Sequence, residues 1–220
     1  MSSGGPSPAC VPAVRLETAA ARAVIIRPMD DPRRLTGDRH VALAVRLRHE
    51  RPGDAGDVAA IRAVCVAAFP SDAEARLVDA LRAVGDSDPA RSLVADLDGT
   101  VVGHCLLTAV MLERPDGTRD ADRVVALGPL AVLPAWHGRG IGRRLVGAAL
   151  QQAEREGAAA VVLLGHPTYY SRFGFLPARA QGLLPPAPWP DAAWMARRLP
   201  AWTPRDAGVV RYARAFMDME

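Results

Sequence analysis

The sequence contains no lysine, so all 27 of its basic side chains are arginines. Each stays charged at physiological pH and offers a planar fork suited to phosphate or carboxylate. Nucleotide composition is the simpler origin of that bias. The absence also excludes a Walker-type phosphate loop, which needs Gly-Lys followed by Ser or Thr. Cysteine is scarce as well. Cys10, Cys65 and Cys105 are odd in number, far apart and without a Cys-x-x-Cys pair, which argues against a disulfide framework or a zinc site and fits a reducing compartment. No metal is expected, because His, Cys and carboxylates never cluster at ligand spacing. The longest plainly apolar run is Ala158 to Leu164, far short of the roughly 20 residues that a bilayer span needs. Pro6, Pro8, Pro12, Arg15 and Glu17 interrupt the N-terminus. A signal peptide is therefore not expected, and a cytoplasmic location follows by default.

Half of the 220 residues are apolar and 23% are charged, enough for one ordinary domain with extra segments and a substantial core. The net charge of +3 is mild and gives no strong case for nucleic acid or membrane attraction. Residues 1–42 read as a flexible extension rich in Ser, Gly and Pro, with a short helix around Glu17 to Val24 and Met29 as an alternative start. Residues 43–220 read as the domain, with a C-terminal arm from about 176.

Within it, Ala44 to Arg48 alternates like a strand. Asp54 reads as the N-cap of a helix with Val58, Ile61, Val64 and Cys65 on one face. Ser71-Asp72-Ala73-Glu74 has the capping-box pattern ahead of Leu77, Leu81 and Val84. Ser92 to Leu97 and Val101 to Leu112 flank Asp98-Gly99, a strong hairpin signal. A turn at Pro115-Asp116-Gly117 leads to a strand over Arg123 to Val132, broken locally at Gly128-Pro129. Gly140 to Glu156 has helical spacing, and Ala160 to Leu164 reads as a short buried strand. Thr168 to Phe173 reads as a brief helix stopped by Gly174. Pro177 to Trp189 reads as a loop, followed by strands near Trp194 to Leu199 and Val209 to Phe216. The order β-α-α-β-β-β-α-β-α-β-β points to an α/β or α+β domain with a partly antiparallel sheet.

The most informative stretch is Leu130-Ala131-Val132-Leu133-Pro134-Ala135-Trp136-His137-Gly138-Arg139-Gly140-Ile141-Gly142-Arg143-Arg144. A buried strand turns into a glycine-dense helix start, which presents unpaired N–H groups and the positive end of the helix dipole. Glycines let that backbone approach a phosphate closely. Arg139, Arg143 and Arg144 stand where the dipole disfavours cations, which makes sense if a polyanion binds there. The dinucleotide fingerprint fits less well, because its third glycine would come two residues after Gly142. A glycine-rich helix entry without any ligand is the bland alternative.

At these residues the chain resembles the GNAT acetyltransferase superfamily, whose pyrophosphate motif here begins at His137, in place of the usual Gln or Arg, and continues through Gly140 and Gly142. Downstream, Gly165-His166-Pro167-Thr168-Tyr169-Tyr170-Ser171-Arg172-Phe173-Gly174-Phe175 is similar to the family's second motif. Ser92-Leu93-Val94-Ala95, Val102-Gly103-His104 and the closing Gly208 to Phe216 favour its YhbS-like subgroup. The resemblance covers roughly residues 45–217. It implies a GNAT fold, a central mixed, mostly antiparallel, twisted sheet flanked by helices, and acetyl-CoA as cosubstrate. Leu130, Ala131 and Val132 would follow the pantetheine arm beside a bulge at Gly128-Pro129. The amides of Gly138, Arg139, Gly140, Ile141, Gly142 and Arg143 would cradle the pyrophosphate.

Acetyl transfer to an amine needs a neutral amine, a stabilised oxyanion and a protonated leaving thiolate. The resemblance gives the last task to Tyr170, which could otherwise be a packed aromatic. Glu74 is a candidate base, with the helix cap as its competing role. His104 faces either the cleft or the core, and His166 is a weaker candidate. Cys105 reads as an ordinary buried thiol. Ser71 and Ser171 lack a hydrolase elbow. Trp189, Trp194 and Trp202 line the acceptor cleft or, more simply, pack the C-terminal arm. The expected partner is a small-molecule or peptide amine, with no nucleic acid and no membrane, and a homodimer stays an open option. A non-catalytic acyl-CoA-binding or regulatory module is the alternative.

Overall fold

The computed structural model describes residues 45–217. The expected extension, its short helix, Met29 and Cys10 lie outside the described residues. The elements run in the order β1 (Arg46–His49), α1 (Ala55–Ala68), α2 (Ala73–Ala83), β2 (Ser92–Leu97), β3 (Thr100–Glu113), β4 (Arg119–Val132) and α3 (Ile141–Arg155). β5 (Ala160–Leu164), α4 (Pro167–Tyr170), β6 (Leu176–Pro177), β7 (Leu183–Leu184), β8 (Trp194–Arg198), β9 (Gly208–Arg211) and α5 (Arg214–Met217) complete the described chain. The strands form one sheet ordered β1-β2-β3-β4-β5-β8-β6, with β9 on β3 and β7 on β9. The β4–β5 and β7–β9 pairs are parallel and the other pairs antiparallel. This is the mixed, mostly antiparallel GNAT sheet that the resemblance implied. No helix among the described residues is long and apolar enough to cross a membrane.

Local chemistry sets the frame. Asp98 and Gly99 both take positive φ, 49° and 87°, so the β2–β3 turn has the left-handed pair that a two-residue hairpin requires. Asp54 caps α1 by accepting from the Asp57 N–H at 2.8 Å. The Asp57 carboxylate, fully buried in the first turn, takes the place that periodicity gave to Val58. It receives Arg48 Nη1 and Nη2 at 2.6 and 2.8 Å and Arg51 Nη2 at 2.6 Å. Arg48 Nε also reaches Asp96 at 2.8 Å, so one guanidinium joins β1, β2 and α1. The two guanidiniums hold the Asp57 carboxyl far below the usual carboxylate range.

Three departures from the sequence reading have physical causes. β4 starts at Arg119 because its mostly polar first five residues, Arg119 to Arg123, extend the β3 hairpin out toward solvent, where no apolar alternation marks them. The stretch read as a loop after Pro177 contains the two-residue strand β7, with β6 just before it, and both are too short to carry a period. The expected strand over Val209 to Phe216 ends at Arg211, and the α5 turn places Phe216 against the sheet.

Two features place the site. Ile141, Leu145, Val146, Ala149 and Ala153 bury the apolar face of α3. Beneath its first turn lies Gly103, where a Cβ would stand 3.1 Å from Leu145 Cδ1 and 3.2 Å from Ile141 Cγ2. That missing side chain lets α3 settle onto β3. The β4–β5 ladder stops at Ala126↔Val162, although β4 runs on to Val132 and β5 to Leu164, so the two strands part. In the same stretch Cys105 faces Leu130 and Leu107 faces Leu127, which leaves β4 one residue longer than β3. This bulge coincides with the cis Gly128–Pro129 bond, where proline has no N–H for a ladder.

Candidate active site

From the end of β4 the chain makes a 3-10 turn at Pro134–Trp136 and passes through His137, Gly138, Arg139 and Gly140 into α3. Gly138 and Gly140 both have φ of 76°, a left-handed geometry that costs other residues roughly 1–2 kcal/mol. The first bond into the helix runs from the Arg144 N–H to the Gly140 carbonyl at 3.1 Å. The N–H groups of Ile141, Gly142 and Arg143 therefore precede the ladder. No side chain caps Gly140 and no acid lies in the first turn, so nothing in that turn answers the positive end of the dipole. The Arg139 guanidinium lies 4.7 Å over the Trp136 ring. His137 turns backward: its Nε2 donates to the Val132 carbonyl at 2.8 Å. The imidazole ties the loop to the end of β4. Amides, glycines and arginines of this kind fit a pyrophosphate.

At the other end of the splayed segment is a cavity of about 10 Å³, room for roughly one water molecule. Phe69, Glu74 and Leu77 close it from the α1–α2 side, Leu127 to Leu130 from β4, and Leu164, Tyr170 and Phe216 from beyond. Tyr170 is buried, with its ring 5.0 Å from Tyr169 and 5.6 Å from Phe175. Burial raises the Tyr170 phenol well above its ordinary pKa. A Cβ on Gly165 would stand 2.5 Å from Tyr170 Cε2, so this glycine admits the ring.

Glu74 is 4% exposed, and its Oε2 has no hydrogen-bond partner among the described residues. Burial, with Asp72 adding to it, pushes the carboxyl up to about 7 against a hydrogen bond from its own N–H. The capping-box reading of Ser71 and Glu74 is therefore corrected. Asp72 is the N-cap residue, Ser71 Oγ accepts only from the Ala73 N–H at 3.3 Å, and the Glu74 side chain lines the cavity.

The model of the GNAT acetyltransferase family matches residues 58–175. The chain belongs to this family. It is 37% identical over 164 residues to the uncharacterized N-acetyltransferase YjhQ of Escherichia coli K12, covering 73% of this chain and 89% of YjhQ. It is 38% identical over 144 residues to the uncharacterized N-acetyltransferase YhbS of the same strain, covering 65% and 82%. The crystal structure of E. coli YhbS in complex with CoA superposes with a TM-score of 0.71 at 34% identity, over 80% of this chain and 94% of that one. A Brucella melitensis GNAT acetyltransferase in complex with acetyl-CoA gives 0.61 at 34% identity, over 78% and 97%. The chain is thus an acyltransferase of a family that uses acetyl-CoA as cosubstrate.

Within this GNAT frame the candidates separate. Leu130, Ala131, Val132 and the His137 to Arg143 loop lie along one path, and Leu130 also lines the cavity. Glu74 and Tyr170 meet at that cavity, whereas His104 does not. Its ring is fully buried on the α1 side, with Nε2 3.0 Å from Ser92 Oγ and Nδ1 4.0 Å from Cys65 Sγ. Ser92 Oγ donates to Glu50 at 2.5 Å, and Arg82 holds Glu50 in turn. Burial drives the His104 pKa down to about 3, so the imidazole is neutral and structural. His166 is the N-cap residue of α4 and is absent from the described lining. Burial lifts the Cys105 thiol to about 12, the state of an inert core cysteine. Trp189 and Trp194 pack on each other and on Tyr212, and Arg198 covers Trp202, all away from the cavity lining. Sequence reasoning missed Phe69, Gly165 and Phe216. For Gly165 a signal existed, since it opens the second motif. Phe69 and Phe216 are single aromatics at element ends and carried none.

Proposed function

We propose that the chain transfers the acetyl group of acetyl-CoA directly to a primary amine, with the donor along α3 and β4 and the acceptor nitrogen at the cavity. The observation that carries this is Leu130, which belongs at once to the strand end leading to the glycine loop and to the cavity wall. One residue joins a polyanion seat to a buried acid–base pair. The similar proteins crystallised with CoA and acetyl-CoA support the choice of donor.

The amides of Gly138 to Arg143 hold the pyrophosphate, and the β4 backbone from Leu130 to Val132 follows the pantetheine arm. The cosubstrate supplies an acetyl group activated by sulfur. Glu74, with its carboxyl near 7, is poised to take the proton that an ammonium must lose before it attacks. Burial keeps the Tyr170 proton in place at neutral pH, the state a donor needs, and the same desolvation raises the basicity of a thiolate beside it. As the carbon–nitrogen bond forms and the carbon–sulfur bond breaks, the thiolate gains the proton that Tyr170 offers, and the nitrogen gives its second proton to the Tyr170 phenolate once Glu74 has passed the first to solvent. Proton return to Tyr170 closes the cycle.

Incubation with acetyl-CoA and a broad amine panel, following thiol release, tests the reading. Amine-dependent release is expected. CoA binding without release for any amine would leave a binding module in place of an enzyme.

A further inference from the structure

The cavity at the splayed β4 segment is a poor host for charge, with one exception. Its described lining is aliphatic, aromatic or backbone apart from the Tyr170 hydroxyl and Glu74. The chain carries 27 cationic side chains, yet none is among the described residues that line it. The exception is Oε2 of Glu74, buried and without a partner. Such an atom is costly unless a ligand meets it, and a carboxylate is best met by a donor that carries positive charge. The free space of about 10 Å³ seats the amino group, and the chain that carries it must pass the apolar side chains of the same lining.

From this lining we infer that the acceptor is an apolar primary monoamine, alkyl or arylalkyl, whose nitrogen meets Oε2 of Glu74. The inference rests on the transferase reading above and adds its substrate class. A carboxylate beside the amine would stand within a few ångströms of Glu74 with no cation to receive it. Like charges about 4 Å apart in a partly buried site disfavour each other by roughly two to three orders of magnitude. A second ammonium, as in a polyamine, would lie buried against Phe69, Leu77 and Phe216 without a counter-ion. The hydroxyls of an amino sugar would leave water for a wall that offers them almost no partners.

The test compares kcat/KM, by thiol release at saturating acetyl-CoA, for three amines with one carbon framework: 3-methylbutylamine, leucinamide and leucine. Spermidine and glucosamine complete the set, and CoA binding is measured separately by calorimetry. The expected order is 3-methylbutylamine above leucinamide above leucine, with about a hundredfold between the ends. Spermidine and glucosamine should fall at the low end. In the Glu74→Gln variant, 3-methylbutylamine should lose tenfold or more and its lead over leucine should shrink, because the like charge has gone. A merely structural glutamate would lower both substrates alike. Leucine, spermidine or glucosamine accepted as well as 3-methylbutylamine would overturn the substrate class and leave the transferase reading standing. Thiol release from none of the five but from another amine of the broad panel would overturn the substrate class alone, and release from no amine at all, with CoA bound, would overturn both.

Discussion

At the α3 end of the site the groups on offer are main-chain amides, set by two left-handed glycines in one short run of sequence. At the cavity end they are side chains, brought in from segments as far apart as Phe69 and Phe216. The difference decides how each end responds to change. A backbone seat tolerates new side chains wherever a Cβ already exists and fails where one is added. A side-chain pocket responds to the loss of a single functional group while its framework stays whole.

The largest effect expected from breaking this contrast is at Tyr170. Tyr170→Phe removes only the hydroxyl, so kcat should fall by about 10²- to 10⁴-fold, the usual worth of a positioned acid. The KM for acetyl-CoA should scarcely move in steady-state assays. Glu74→Gln comes next and has two readouts. Because the Glu74 carboxyl ionises as pH rises through about 7, its proposed part as base means that kcat/KM should climb across that pH, and the variant should lose this limb. The groups that bear on Glu74 are Asp72, Tyr170 across the cavity and the Cys65 thiol. Stability runs the other way. A carboxyl whose folded pKa is raised favours the fold below its unfolded value near 4.5, and the benefit is lost as pH rises through about 7. Chemical denaturation at pH 8 should therefore find Glu74→Gln more stable than the parent by up to about 3 kcal/mol, with the gap closing toward pH 4.

At the other end, Gly140→Val forces a β-branched residue into a left-handed position, at a cost of roughly 1–2 kcal/mol or more. Calorimetry should show CoA binding weakened by roughly tenfold, while kcat at saturation changes much less. His137→Ala is the smallest step. Losing the bond to the Val132 carbonyl should weaken CoA by about fivefold, since a net hydrogen bond is worth about 1 kcal/mol.

The same contrast explains how much was legible in the sequence. The glycine loop, the Asp98-Gly99 hairpin and the Gly174 stop were all readable, because backbone geometry of this kind is written in adjacent residues. The second motif pointed to Tyr170, and the resemblance implied the bulge that Gly128-Pro129 accommodates. Glu74 was ambiguous for a physical reason: Ser71 to Glu74 carries the capping-box pattern, but Asp72 takes the N-cap position and leaves the glutamate to the cavity. His104 could not be assigned from alternation alone. Its face depends on β3 register, which shifts beside Asp96 and again past Cys105. Phe216 needed the turn of α5, which a strand-like pattern concealed.

The most direct test of the division between a backbone donor seat and a side-chain acceptor pocket is a calorimetric titration of CoA into the Glu74→Gln/Tyr170→Phe double variant. A Kd within about twofold of the parent is expected, in a protein whose amine-dependent thiol release has collapsed. A Kd weakened tenfold or more (over 1.4 kcal/mol) would mean that the cavity side chains help hold the donor, and the division would fail.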